Sequence, residues 1–333
     1  MPFFVKIENK IKVGKIFIHL NIILLLMMSG FFSCKQETSD TIKIGILRGP
    51  TELSFMQMID NIPNYNGRKI ELIIKNEPQQ IQALIIQKKV DFAVLPTVMS
   101  ANLYNKGVKY KMLACPVWGT MYILTNNPAI KSIGNLENNP ISVFGQGITP
   151  DILLQNLLRM NNIKNVSIDY TFTSNTDLAQ AILQKRIQSA VLSEPLVSIL
   201  LSKDPTIKNI SQLNCESIIN KIDADIFVQT AFIVNSKFSE KYPDIVDFIC
   251  NEYSKSCNFI NEQPLEAAML AVKLKILPDL KTASISIPLC NIRYVGAFTI
   301  EHELEHYLNI FLNYNPKSIG GKIPSKDFIY KRF

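Results

Sequence analysis

A chain of 333 residues, 47% hydrophobic and 19% charged, can bury more than one sizeable core and has no bias toward disorder or fibre. Its net charge of +7 comes with no long basic run and no aromatic ladder between basic residues, which argues against a nucleic-acid partner. Lys6, Lys10, Lys12, Lys15 and Glu8 account for +3 of that charge, all ahead of residue 34.

Residues 1–33 read as a targeting segment. A basic stretch precedes an apolar run over 16–32, interrupted by His19 and Asn21 and ending at Gly30-Phe31-Phe32-Ser33-Cys34. Small Ser33 suits cleavage ahead of Cys34. The segment resembles a bacterial lipoprotein signal, although Phe31 and Phe32 depart from the usual pattern. That resemblance implies lipidation of Cys34 and a membrane tether through the polar residues 34–40. The same run also approaches the length of an uncleaved membrane anchor.

The next elements occur twice. Residues 42–47 form a strand that runs into Arg48-Gly49-Pro50-Thr51, and an apolar helix follows over 53–62. Residues 141–144 form a strand that runs into a turn holding Gly145 and Gly147, and a helix follows. Thr149 is placed to cap that helix, Pro150 to open it, and Asp151 to meet its dipole in the first turn. Gly49 and Gly147 stand 98 residues apart. Residues 82–95 and 180–192 echo one another as helix, basic turn and strand, and Ala93 and Ala190 stand 97 apart. Nearly equal offsets predict two similar half-domains. In open parallel α/β sheets ligands bind beyond the carboxyl ends of strands. The expected loops are therefore 48–52 and 96–100 in the first half, and 145–151 and 193–195 in the second.

In chain order, residues 64–67 make a turn, 68–75 a strand, 79–87 a helix and 91–95 a buried strand. Strands over 109–116 and 118–126 carry the chain from one lobe to the other. The second lobe continues with a strand at 167–172 and a helix at 176–185, and the chain returns at 228–235. The expected lobes are thus 41–122 with 231–333, and 123–230, joined by a two-strand hinge. Helices over 240–261, from Pro264 onward, and over 299–313 complete the first lobe.

These loops and crossings nominate ten ligand-binding residues. Arg48 is the one cation in the four loops and suits an anion, or else serves a structural ion pair. Thr51, Thr97, Thr120, Thr149 and Ser193 offer hydroxyls. Gly49 and Gly147 open the backbone, and Glu194 offers a polar contact. Trp118 offers a ring face or packs in the core.

Cys115, Cys215, Cys250, Cys257 and Cys290 follow Cys34. Their odd number prevents complete pairing. Cys250 and Cys257, two helical turns and about 10 Å apart, cannot bridge. No pair has zinc-ligand spacing. His302-Glu303-Leu304-Glu305-His306 matches H-E-x-x-H, but both histidines lie opposite the apolar stripe of Ile300, Leu304, Leu308 and Phe311. They are expected on a solvated helix face, with no metal role. No G-x-S-x-G elbow, Walker loop or dinucleotide fingerprint is present, and no catalytic residue or cofactor is expected.

Arg48-Gly49-Pro50-Thr51, Trp118-Gly119-Thr120, the 145–151 loop, Ser193-Glu194-Pro195, Tyr242-Pro243-Asp244, the 261–267 segment and the 318–324 segment, taken in order behind the Cys34 leader, resemble substrate-binding lipoproteins of ABC importers. The similar branch is that of nitrate, sulphonate, taurine and thiamine precursors. The resemblance implies the type II periplasmic-binding fold, two Rossmann-like lobes about a cleft. It also implies a small anionic or heterocyclic solute, a permease and ATPase as partners, and a monomer anchored outside the cytoplasm. The same fold is similar to certain cytoplasmic biosynthetic enzymes, and a lipoprotein serving a sensor is a further alternative.

Overall fold

A computed structural model describes residues 41–213 and 227–332. The expectations for the leader, Cys34, the 34–40 tether and Cys215 lie outside these residues. The fold is α/β with two sheets among the described residues.

The first sheet grows around β1 (Thr41–Leu47), whose buried run is covered on both faces, as a central parallel strand requires. β2 (Lys69–Lys75) and β3 (Phe92–Pro96) flank it in parallel, pairing Ile44 with Leu72 and with Phe92. β10 (Thr230–Asn235) joins β3 antiparallel, followed by β4 (Tyr110–Val117) and β11 (Ile292–Gly296). The order is β11-β4-β10-β3-β1-β2.

The second sheet repeats this plan. β6 (Pro140–Ser142) lies between β7 (Ser167–Asp169) and β8 (Ser189–Ser193), parallel to both. β5 (Met121–Thr125) joins β8 antiparallel and β9 (Lys208–Gln212) joins β5, giving β7-β6-β8-β5-β9. Each half therefore places its first strand between its second and third, with an antiparallel strand beyond the third.

The connections between the sheets run side by side. Trp118, between β4 and β5, makes an antiparallel bridge with Val228, just ahead of β10. Gln229 staples them: its Oε1 accepts from the Thr120 N–H at 2.9 Å, and its carbonyl accepts from the Thr97 N–H.

Helices cover the sheets: α1 (Pro50–Ser54) and α2 (Met56–Asp60) after β1, α3 (Pro78–Ile86) after β2, and α4 (Thr97–Asn105) after β3. In the second half α5 (Thr149–Met160), α6 (Asn175–Leu183) and α7 (Leu196–Lys203) follow β6, β7 and β8. The single helix expected over 53–62 is two short ones, broken at Phe55. There the Phe55 ring stacks on Tyr253 at 3.8 Å, and the Ser54 hydroxyl turns back to the Thr51 carbonyl. The helix expected from residue 240 is likewise two, α8 (Ser236–Lys241) and α9 (Pro243–Glu262). Pro243 opens the second, because it lacks the N–H to continue the first. α9 buries Ile245, Ile249, Tyr253, Cys257 and Ile260 along one stripe against the first sheet. α10 (Pro264–Lys273) and α11 (Leu280–Leu289) pack beside it.

The C-terminal segment ties both sheets together. α12 (Glu301–Tyr314) buries Leu304, Tyr307, Leu308 and Phe311 in one cluster with Leu95 and Val98 of the first half and Ile141 and Ile152 of the second. Beyond it, Asn102 and Asn105 of α4 donate to the carbonyls of Lys317 and Ile319, and Ile329 pairs with Met112 of β4.

Candidate functional site

A cavity of about 240 Å³ lies where the carboxyl ends of the two sets of parallel strands face each other. The first half contributes residues 47–52 after β1, 76–78 after β2, and Pro96 at the end of β3. Gln229 and Thr230 also line it, because antiparallel β10 begins at that same edge, with Thr230 opposite Pro96. The second half contributes Phe144 and residues 148–150 after β6, 173–176 after β7, and Ser193, Pro195 and Leu196 after β8.

Of the ten nominated residues, Arg48, Gly49, Thr51, Thr149 and Ser193 line this cavity. The Arg48 guanidinium, with its side chain 61% exposed, lies 3.4 Å from the buried Glu52 carboxylate one helical turn on. Burial raises the Glu52 pKa, and Arg48 opposes that shift. Ser193 is clamped by Asn175: its Oγ accepts from Asn175 Nδ2 at 2.9 Å, and its N–H donates to Asn175 Oδ1.

The other five stand away from the lining. Trp118 is 2% exposed, its Nε1 donates to the Arg293 carbonyl, and the Arg293 guanidinium covers its ring at 4.4 Å. Thr120 is bound to Gln229 in the hinge. Thr97 is buried at the start of α4, and its hydroxyl has no partner. Gly147 donates its N–H to Asp151 Oδ2 at 2.7 Å. Glu194 is 1% exposed, and its carboxylate accepts from the N–H and hydroxyl of Ser198.

The 145–151 loop is held in place by Asp151. Besides Gly147, this buried carboxylate takes hydrogen bonds from Gln155 Nε2 at 2.6 Å and from the Tyr170 hydroxyl at 2.8 Å. Tyr314 of α12 donates in turn to Gln155 Oε1. Gly145 has a positive φ of 72°, and a Cβ there would sit 2.3 Å from Ile148 Cδ1. Only glycine lets Ile148 fold over the turn toward the cavity.

Thr149 does not cap α5. The Ile148 carbonyl accepts from the Ile152 N–H, so the helix starts one residue early, with Ile148 at the cap and Thr149 in the first turn. Its hydroxyl is buried and has no partner. Thr230, across the cavity in the first half, has the same unpartnered hydroxyl. Two residues that line the cavity, one from each half, thus carry a buried hydroxyl that has no hydrogen bond.

Burial pushes the Glu194 carboxyl up to about 7, against the two hydrogen bonds from Ser198. A carboxyl raised from its ordinary 4.5 stabilises the fold fully below that value and loses the contribution as pH rises through about 7. Melting temperature is therefore expected to fall between pH 5 and pH 7.5, and Glu194→Gln to flatten that slope. Thermal melts across this range, with equal slopes in the two proteins as the contrary result, decide the point.

Among the described residues no cluster of three His, Cys, Asp or Glu side chains could hold a metal. His302 is exposed, and α12 turns its apolar residues to the core. Cys115, Cys250, Cys257 and Cys290 are free thiols, and burial raises all four, Cys115 to about 12.

Residues 65–267, more than half of the chain, match the family model described as NMT1/THI5 like. An ABC transporter from Parabacteroides distasonis is 30% identical, with a TM-score of 0.73 over 88% of this chain and 100% of that one. The periplasmic aliphatic sulphonate binding protein SsuA from Escherichia coli is 15% identical and shares the fold, with a TM-score of 0.69 over 88% of this chain and 93% of that one. The periplasmic nitrate-binding protein NrtA from Synechocystis PCC 6803 shares it at 11% identity, with a TM-score of 0.65 over 87% of each chain. Among curated proteins, none matches this chain.

Proposed function

Because the chain belongs to the NMT1/THI5-like family, we propose that it is the solute-binding component of an ABC importer. It would capture a small molecule between its lobes outside the cytoplasm and deliver it to a permease driven by an ATPase. The observation that carries this reading is the cavity between two matched sets of strand ends, with unpartnered hydroxyls on opposite walls. A solute touching Thr230 on one side and Thr149 and Asn175 on the other favours the closed arrangement, because only a contact that differs between states shifts their balance. The hinge for that movement is the pair of connections at 118–120 and 228–229.

Binding and release without chemical change fit a cavity whose described lining residues include no histidine or cysteine. In this reading Cys34 carries the lipid anchor, and the protein acts as a monomer at the membrane surface. The experiment is to purify the full chain, denature it, and identify what it releases by mass spectrometry. One small molecule, near equimolar, that raises the melting temperature when added back is expected. A chain that releases nothing and is stabilised by no small solute is not a solute-binding protein.

A further inference from the structure

We infer that the solute is uncharged, unlike the sulphonate and nitrate in the names of the structural relatives. This inference rests on the solute-binding reading and concerns the same cavity. Among its described lining residues only Arg48, Glu52 and Glu77 are charged. Arg48 is the one cation among them, and the Glu52 carboxylate 3.4 Å away offsets its charge, so the described lining carries a net charge of −1. An anion taken from water into such a cavity loses its hydration without a compensating charge.

The positive helix ends facing the cavity would ordinarily offset this loss. Here four of the six carry their own carboxylate, and the two that do not, at α4 and α7, begin at Pro96 and Pro195. Glu52 lies in the first turn of α1, Glu77 at the cap of α3, Asp151 in the first turn of α5 and Asp177 in that of α6. Asp151 already accepts from the Gly147 N–H, a donor an anion would otherwise use. Most of the cavity's attraction for negative charge is met from within the chain.

What the walls do offer is hydroxyl groups and apolar surface. Thr149 and Thr230 are 1% and 6% exposed, with no partner for either hydroxyl. Phe144, Ile148, Ile199 and Ile276 supply apolar wall. A hydroxyl can donate to a carbonyl or ring nitrogen and accept from an amide or amine. A 150 Å³ cavity holds benzene, so one of about 240 Å³ has room for roughly ten non-hydrogen atoms. The fitting solute is a compact, neutral molecule with an apolar body and polar groups at opposite ends.

The test uses neutral and anionic compounds of nearly the same shape. Benzenesulfonamide is set against benzenesulfonate and nicotinamide against nicotinate, with inorganic nitrate and sulfate alongside. Binding to the full chain is measured by calorimetry at constant ionic strength, with Thr149→Val and Thr230→Val in parallel. The neutral members are expected to bind more tightly, and each valine variant to weaken them about tenfold, the worth of one hydrogen bond. Without added compound, each valine variant is expected to melt no lower than the parent, since it removes a buried hydroxyl that has no partner. Tighter binding by the anions, lost in Arg48→Ala, overturns the solute class and leaves the solute-binding reading standing. Binding by no member of either set also overturns the class. The solute-binding reading then stands or falls on the release experiment alone.

Discussion

An Asp151→Ala protein is expected to lose about 3 kcal/mol of stability and most of its affinity for solute. The carboxylate collects three donors: the Gly147 N–H, Gln155 Nε2 and the Tyr170 hydroxyl. Truncation leaves all three without their acceptor, and a deserted buried donor costs about 1–3 kcal/mol, less where water can reach it. The melting temperature should drop by roughly 6–12 °C for a chain of this size. Affinity falls with it because Thr149 reaches the cavity only while the 145–151 loop keeps its shape. Asp151→Asn should lie between the two, since an amide keeps one acceptor but turns an N–H toward groups that are themselves donors. Thermal melts and calorimetric titrations on the three proteins measure both effects. Parental stability in Asp151→Ala would mean that the loop is held by something other than this carboxylate.

A larger loss is expected from Phe232→Ala, about 3–5 kcal/mol. Phe232 lies on β10, central in the first sheet, and is fully buried. Its ring stacks on Phe92 at 5.7 Å and meets Tyr253 edge-on at 5.0 Å and Phe55 at 6.4 Å. Those partners come from β3, α9 and the break between α1 and α2, so one truncation opens a void shared by four segments. Strand pairing on both sides of β10 limits how far the void can collapse, which places the cost toward the upper end. Denaturant titration measures the loss. A change below about 1 kcal/mol would mean that the four segments close around the vacancy.

The duplicated plan was legible because it rests on local chemistry. Glycine turns after apolar runs and helices of matching length recur at one offset, and the two sheets repeat one strand order. The strand ends after β1, β3, β6 and β8 followed from that, and Arg48, Gly49, Thr51, Thr149 and Ser193 with them. The ends of β2 and β7 line the cavity as well, and Asn76-Glu77-Pro78 and Ser174-Asn175 show the same strand-to-helix signals. Gln229 and Thr230 depend on an antiparallel strand starting at that edge, a long-range fact with no local signature. The direction of the Trp118 ring is likewise set by Arg293, 175 residues away. α4 escaped because Thr97–Asn105 follows β3 with no turn between them, and its small and polar residues are buried alongside Val98 and Leu103. The Thr149 hydroxyl, expected both as a cap and as a ligand contact, does not cap for a subtler reason. Capping preference describes a residue type, whereas its use was decided by a one-residue difference in where the helix begins.

The tie made by α12 has a consequence for how the molecule comes into being. The side chains that close the shared cluster, Leu304, Tyr307, Leu308 and Phe311, come after both halves in the chain. Until they arrive, Leu95, Val98, Ile141 and Ile152 lack their covering helix. Folding in order of synthesis, the usual habit of chains with separate domains, therefore cannot run to completion here. A nascent chain must keep both halves apart from other sticky surfaces until α12 is free, then finish them in a single step.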